Sequence, residues 1–155
     1  MELLDVVNIG LINLELKNKD KFGVINELIE MAYTENRISS KKEVLNAVKY
    51  REEISSTFCG LEMAVPHGIS DRVKVPTLCF GRSSTGFNWE ENEDRVKFIC
   101  LILVPENNFN NENEAKHLEI LSTVAKLVLI DEVREQWEKA ETKEAILETL
   151  IKNVR

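Results

Sequence analysis

The sequence predicts an α/β sandwich, and three observations carry that reading. Val96 to Val104 is a long apolar run interrupted only by Lys97, of the kind that forms a strand buried on both faces. Apolar residues recur at helical spacing before and after it, and strand-like stretches interleave with helical ones along the chain. At 155 residues the chain has the size of one ordinary domain, so a single domain over 1–155 is expected.

Taken in order, Leu11 to Leu16 alternates apolar and polar residues and reads as a short half-buried strand. A helix is predicted from near Asp20, with Phe22, Ile25, Leu28, Ile29 and Ala32 on its inward stripe, followed by a polar connection from Asn36 to Ser40. Ser40 and Glu43 have capping-box spacing and open a second helix with Val44, Leu45 and Val48 inward, ending near Arg51 to Glu53. The Ser- and Thr-rich stretch from Ile54 to Gly60 reads as loop, Met63 to Val65 as a short strand, and Pro66-His67-Gly68 as a sharp turn. Thr77 to Phe80 is a further strand, and Val96 to Val104 is expected in the middle of the sheet.

Pro105 to Glu114, dense in Asn and Glu, is expected to form an exposed loop. A helix then starts near His117, with Leu118, Leu121, Ala125, Val128 and Leu129 inward. Asp131 to Lys139 forms a shorter helix, and Thr142 caps a last one that turns Ile146, Leu147, Leu150 and Ile151 to the core.

Composition narrows the function classes. With 43% hydrophobic and 30% charged residues the chain is that of a folded globular protein. Its net charge of -7, from 20 Lys plus Arg against 27 Asp plus Glu, repels a nucleic-acid backbone or an anionic membrane, so no nucleic-acid partner is expected. No apolar run approaches the roughly 20 residues that span a bilayer, and the acidic opening is unlike a signal peptide. Cys59, Cys79 and Cys100 show no paired spacing and read as reduced thiols, consistent with a cytoplasmic protein. There is no GxxxxGK[ST] loop, and His67, His117 and Cys59 lack the short paired spacings of structural zinc.

The chain has two histidines. Pro66 fixes its own backbone angle and Gly68 permits close approach, so the His67 imidazole is expected at the rim of a sheet. His117 is expected in the first turn of its helix, where the positive end of the dipole favours a neutral ring that can donate to an anion. Arg51, followed by Ser55, Ser56 and Thr57, offers a guanidinium fork and hydroxyls suited to a phosphate. Each has a plainer reading when taken alone: a solvated loop histidine, a half-buried helix-start histidine, and an arginine at the negative end of a helix. Cys79 and Cys100 sit in apolar runs and read as core, as do Trp89 and Trp137.

Together, Arg51-Glu52-Glu53, Ser56-Thr57 with Gly60, Ala64-Val65-Pro66-His67-Gly68, and His117-Leu118 with Leu121, Ala125 and Leu127 resemble one known family. This is the enzyme IIA domain of the fructose/mannitol class of the phosphoenolpyruvate-dependent sugar phosphotransferase system, and the likeness runs through most of the chain. It implies a mixed β-sheet flanked by α-helices on both faces. It also implies that His67 accepts a phosphoryl group on Nε2 from phosphorylated HPr and passes it to a cysteine of a cognate enzyme IIB, which serves a membrane enzyme IIC permease. Around that group the resemblance puts His117 and Arg51, with Thr57 contributing its hydroxyl, and it requires no cofactor, metal or nucleotide. A nitrogen-type regulatory phosphoprotein of the same family is the alternative. Fructose-, mannitol- and galactitol-type systems are all compatible. Phe58, Cys59 and Glu62 stand where family members often have a glycine, an aliphatic residue and another glycine, so the loop before His67 is expected to take its own path with an added negative charge.

Overall fold

The computed structural model describes residues 6–91, 95–106, 119, 122–123, 126–127 and 129–152. After a short 3-10 turn at Ile9–Leu11 the elements are β1 (Ile12–Asn13), α1 (Lys21–Thr34), α2 (Lys41–Ile54), β2 (Phe58–Gly60), β3 (Met63–Ala64), β4 (His67–Ser70), β5 (Thr77–Asn88), β6 (Arg95–Pro105), α3 (Asp131–Lys139) and α4 (Lys143–Lys152). Ser122, Thr123, Lys126 and Leu127 are also helical. The strands form one mixed sheet in the order β1-β5-β6-β3-β2, with β4 also on β6. The predicted helix near His117 and the predicted loop from Pro105 to Glu114 fall largely on residues outside the described ones, His117 among them.

β6 is the axis of the sheet. It pairs antiparallel with β5 on one side and parallel with β3 and β4 on the other, and every residue from Phe98 to Pro105 is buried. A strand enclosed on both faces has no polar positions to alternate, which is why its apolar run was readable from sequence alone.

Helices cover both faces. Phe80 and Phe98 pack at a steep tilt against Trp137 of α3, with ring centroids 5.1 and 5.7 Å away. Trp137 in turn donates through Nε1 to the Thr149 hydroxyl of α4 at 2.7 Å. On the opposite face Gly81 lies under Leu16 and Leu28, and Gly68 lies under Val48. Arg82 ties β5 to α3 by donating from Nη1 to the carbonyls of Trp137 and Ala140 at 2.8 and 2.6 Å, while its Nε donates to Leu14.

The helix boundaries follow their caps. Asp20 accepts from the Gly23 amide at 2.6 Å, Ser40 from Glu43 at 3.3 Å, and Thr142 from Ala145 at 3.1 Å. Three expectations are corrected. The strand expected from Leu11 to Leu16 is regular over Ile12 and Asn13 only: the Asn13 side chain accepts from the Glu15 amide and bends the backbone, which returns to β5 at Leu16, whose amide donates to the Arg82 carbonyl at 2.9 Å. Phe22, expected inward, is 37% exposed and lies beneath the ammonium groups of Lys21 and Lys49, with Val24 on the buried stripe instead. Leu129, also expected inward, sits in a turn and is exposed.

A larger revision concerns Pro66-His67-Gly68, which is not a sharp turn. Ala64 is paired with Ile99 and His67 with Ile102, so β3 and β4 lie on β6 in one continuous register. The break at Val65-Pro66 reflects chemistry more than direction: proline has no amide to donate, although its carbonyl still accepts from Ile102 at 3.0 Å.

Two outcomes are expected from this packing. A Cβ at Gly68 would stand 2.8 Å from the Val48 Cγ2 and 3.2 Å from its amide nitrogen, and a β-branched side chain cannot swing aside. Gly68→Ala is therefore expected to cost about 1–3 kcal/mol in urea unfolding, and a neutral result would show that α2 and β4 are not in close contact. Glu27 anchors the segment before α1. Burial pushes its carboxyl up, but amide donors from Lys17 and Asn18, the Asn18 side chain and the Lys17 charge outweigh this and hold it below the ordinary 4.5. A lowered folded-state value stabilises above the unfolded value and is lost as pH falls through the folded one. Glu27→Gln is thus expected to be less stable than wild type at pH 7, with the gap closing below about pH 4.5.

Candidate functional site

His67 opens β4, whose outer edge carries no strand among the described residues. Along β4, Gly68 and Ser70 are buried toward α2, whereas His67 is half-buried and Ile69 is 59% exposed on the opposite face. The ring is held by its own chain: Nδ1 lies 3.1 Å from the carbonyl oxygen of Val65. A carbonyl has no proton to give, so Nδ1 carries the hydrogen, and the neutral ring keeps its lone pair on Nε2.

Arg51 approaches from α2. It lies one turn beyond Ala47 and Val48, the residues that face Gly68, on the same stripe of the helix. Its Nη1 donates to the Ser55 carbonyl at 2.7 Å, and it is in no ion pair among the described residues. Arg51 and His67 share no hydrogen bond; the segment from Ser55 to Thr57 connects them. Thr57 accepts at its carbonyl from the Val65 amide at 3.1 Å, one residue-length from the carbonyl that holds His67.

The Thr57 hydroxyl does not face open solvent. The residue is buried, and both its hydroxyl and its amide donate to the carboxylate of Glu52, the amide at 3.3 Å. Its only hydroxyl proton is committed there, which leaves none for a phosphoryl oxygen.

Glu52 is the residue that sequence reasoning passed over. Its side chain is only 1% exposed, and besides Thr57 it meets Trp89 Nε1 at 3.4 Å and Lys21 Nζ at 3.7 Å. The signal was present in the spacing. Val44, Val48 and Glu52 follow at intervals of four, so a carboxylate ends an otherwise apolar stripe.

The cysteines stay protonated. Burial pushes Cys79 up to about 12 and Cys100 higher still. Cys59 is exposed overall, but its Sγ donates to the Thr57 carbonyl at 3.4 Å, and partial burial followed by the Glu52 charge pushes its thiol up as well. None offers a thiolate to pair with His67.

The hairpin between β2 and β3 has its own path. Gly60, Leu61 and Glu62 all take positive φ, at 76°, 56° and 63°. Glu62 pairs with Lys97 at 3.7 Å, which partly answers the added negative charge. Left-handed backbone costs a residue with a Cβ more than it costs glycine, and a β-branched residue most. Thermal or urea unfolding is expected to rank Glu62→Gly as the most stable, wild type next and Glu62→Val last, with Gly to Val spanning about 1–3 kcal/mol. A Val variant as stable as Gly would contradict the strained turn.

No helix among the described residues is long and apolar enough to cross a membrane. Residues 5–153 match the family described as phosphoenolpyruvate-dependent sugar phosphotransferase system, EIIA 2. The chain is 30% identical over 154 residues to the PTS system fructose-specific EIIA component of Haloferax volcanii, covering 97% of each. Its fold is similar to that of the nitrogen regulatory protein IIA-Ntr from Neisseria meningitidis, with a TM-score of 0.84, 26% identity, and coverage of 96% of this chain and 98% of that one. It is also similar in fold to the Escherichia coli mannitol enzyme IIA solved in complex with phosphorylated enzyme IIB, with a TM-score of 0.76, 22% identity, and coverage of 93% and 96%.

Proposed function

The chain belongs to the EIIA 2 family of the phosphoenolpyruvate-dependent sugar phosphotransferase system, whose members are phosphotransferases, and we propose that His67 is its phosphoryl acceptor. The observation that carries this reading is the hydrogen bond from His67 Nδ1 to the Val65 carbonyl, which reserves Nε2 as the nucleophile on an open strand edge.

In this reading the donor is phosphorylated HPr. Its phosphoramidate P–N bond breaks as a new one forms to Nε2 of His67, and the Nδ1 proton stays on Nδ1, donated to the Val65 carbonyl. The product is a phosphoramidate of similar reactivity, so the group passes onward to a cysteine of enzyme IIB as the His67 P–N bond breaks and a P–S bond forms. Such a transfer needs two nucleophiles aligned on either side of phosphorus and donors for the equatorial oxygens. Arg51 supplies its guanidinium fork and His117 a single N–H. The contribution of Thr57 is indirect, because its hydroxyl is engaged by Glu52. Two protein partners in turn must reach one nitrogen, which suits a half-exposed imidazole beside the exposed Ile69. The complex known for the mannitol enzyme IIA makes enzyme IIB the natural acceptor class, with the membrane enzyme IIC downstream and this chain working in the cytoplasm.

A second reading is favoured by the likeness to the nitrogen regulatory IIA protein: a phosphoprotein that controls targets without feeding a permease. Both readings use His67, and onward transfer separates them.

Incubation with phosphoenolpyruvate, enzyme I and HPr is expected to give an acid-labile, base-stable adduct on wild type and none on His67→Gln, with onward transfer to enzyme IIB reduced or blocked in His117→Gln. Stoichiometric labelling of His67→Gln would exclude this acceptor. A phosphorylated chain that passes nothing to any enzyme IIB would favour the regulatory reading.

A further inference from the structure

The most unusual group in the fold is the buried carboxylate of Glu52. Charged groups are seldom enclosed unless several partners meet them, and here three donors hydrogen-bond to it, the amide and hydroxyl of Thr57 and the Trp89 indole N–H, while the Lys21 ammonium adds an ion pair at 3.7 Å. A carboxylate has lone pairs for all three, a charge for the ammonium, and no donor of its own. These partners come from the start of α1, the segment after α2 and the residue just past β5, so the group sits where three parts of the fold meet.

What it holds most tightly is Thr57, gripped at both of its donors. The third polar group of Thr57, its carbonyl, accepts from the Val65 amide at 3.1 Å, and Val65 accepts at its own carbonyl from His67 Nδ1 at 3.1 Å. A continuous polar chain therefore runs from Glu52 through Thr57 and Val65 to the imidazole. Pro66 lies between Val65 and His67 and contributes no amide, so the ladder to β6 does not fix the Val65 carbonyl through a neighbouring donor.

We propose that Glu52 is a positioning residue for phosphoryl transfer: by gripping Thr57 it sets the Val65 carbonyl that orients the His67 ring and keeps its proton on Nδ1. This rests on His67 being the acceptor. Glu52 touches neither donor nor phosphoryl group, and its effect is to hold Nε2 on the line of transfer, where a misplacement of about 1 Å costs on the order of 100-fold in rate. A purely structural carboxylate would be expected to change stability alone.

The test uses the full chain and two readouts, the rate of phosphorylation by phospho-HPr at saturation and the 15N NMR signals of the unphosphorylated His67 ring. Glu52→Gln keeps the shape of the side chain but replaces one acceptor oxygen with a donor; Thr57→Val removes the hydroxyl, and Thr57→Ser restores it. Thr149→Val removes a different buried hydroxyl, the partner of Trp137, and serves as a control for lost stability. Glu52→Gln and Thr57→Val are expected to slow labelling about 10- to 100-fold, with the half-saturating phospho-HPr concentration changed less than about two-fold. The ring signals are expected to shift toward the Nε2-protonated form. Thr57→Ser is expected near wild type, and Thr149→Val to lower the melting temperature while leaving rate and tautomer alone.

Wild-type rate and tautomer in Glu52→Gln would overturn the proposal, as would equal slowing in Thr149→Val. Should Glu52→Gln fail to fold, the Thr57 pair decides the question by the same criteria. Absence of His67 labelling in wild type would instead remove the acceptor assignment, while the tautomer comparison still tests the chain from Glu52 to the ring.

Discussion

The structure depends on the register in which β3 and β4 lie along β6. Ala64 opposite Ile99 and His67 opposite Ile102 put the two short strands on one line, across a proline that cannot take part in the ladder. That constraint gives His67 its place. It stands at the first paired residue after the gap, on an edge with no further strand among the described residues, and beside a carbonyl with which its own ring can bond. Gly68 completes the arrangement, because the absence of a side chain there lets α2 approach β4 closely at Ala47 and Val48.

Polarity is distributed in the same economical way. On the described strands the buried polar residues are Ser70, Thr77 and Ser83, all hydroxyls, and the buried carboxylate near the candidate site, Glu52, is met by three hydrogen-bond donors and the Lys21 ammonium. From it a hydrogen-bonded path leads through Thr57 and Val65 to the imidazole. Its consequence is geometric, since a histidine with Nδ1 engaged offers Nε2 and nothing else to an electrophile.

Much of this was legible in the chain beforehand, and for identifiable reasons. Asp20, Ser40 and Thr142 marked helix starts because a side-chain oxygen before an apolar stripe has one favourable role, and Val96 to Val104 announced the central strand because enclosure on both faces removes alternation. What failed did so locally. Leu11 to Leu16 alternates as a strand should, yet one Asn13 side chain diverts the backbone after two residues. Phe22 fits the stripe by count but lies in the first turn of α1, where it carries two lysines over its ring. Pro-His-Gly read as a turn because proline and glycine usually signal one; here proline interrupts a ladder and glycine admits a helix. Of the site, His67, Arg51 and Thr57 were named from sequence; the stripe of Val44, Val48 and Glu52 marked a buried carboxylate, but its meeting with Lys21 and Trp89 depends on tertiary contacts that no spacing records.

The central claim is that the geometry of the Val65 carbonyl chooses which nitrogen of His67 reacts. Heteronuclear NMR of the phosphorylated chain, reading the coupling between phosphorus and the ring nitrogens, measures this directly. Phosphorus bonded to Nε2 of His67, with Nδ1 still protonated, is the expected result. Phosphorus on Nδ1, or on any other residue, would contradict the account.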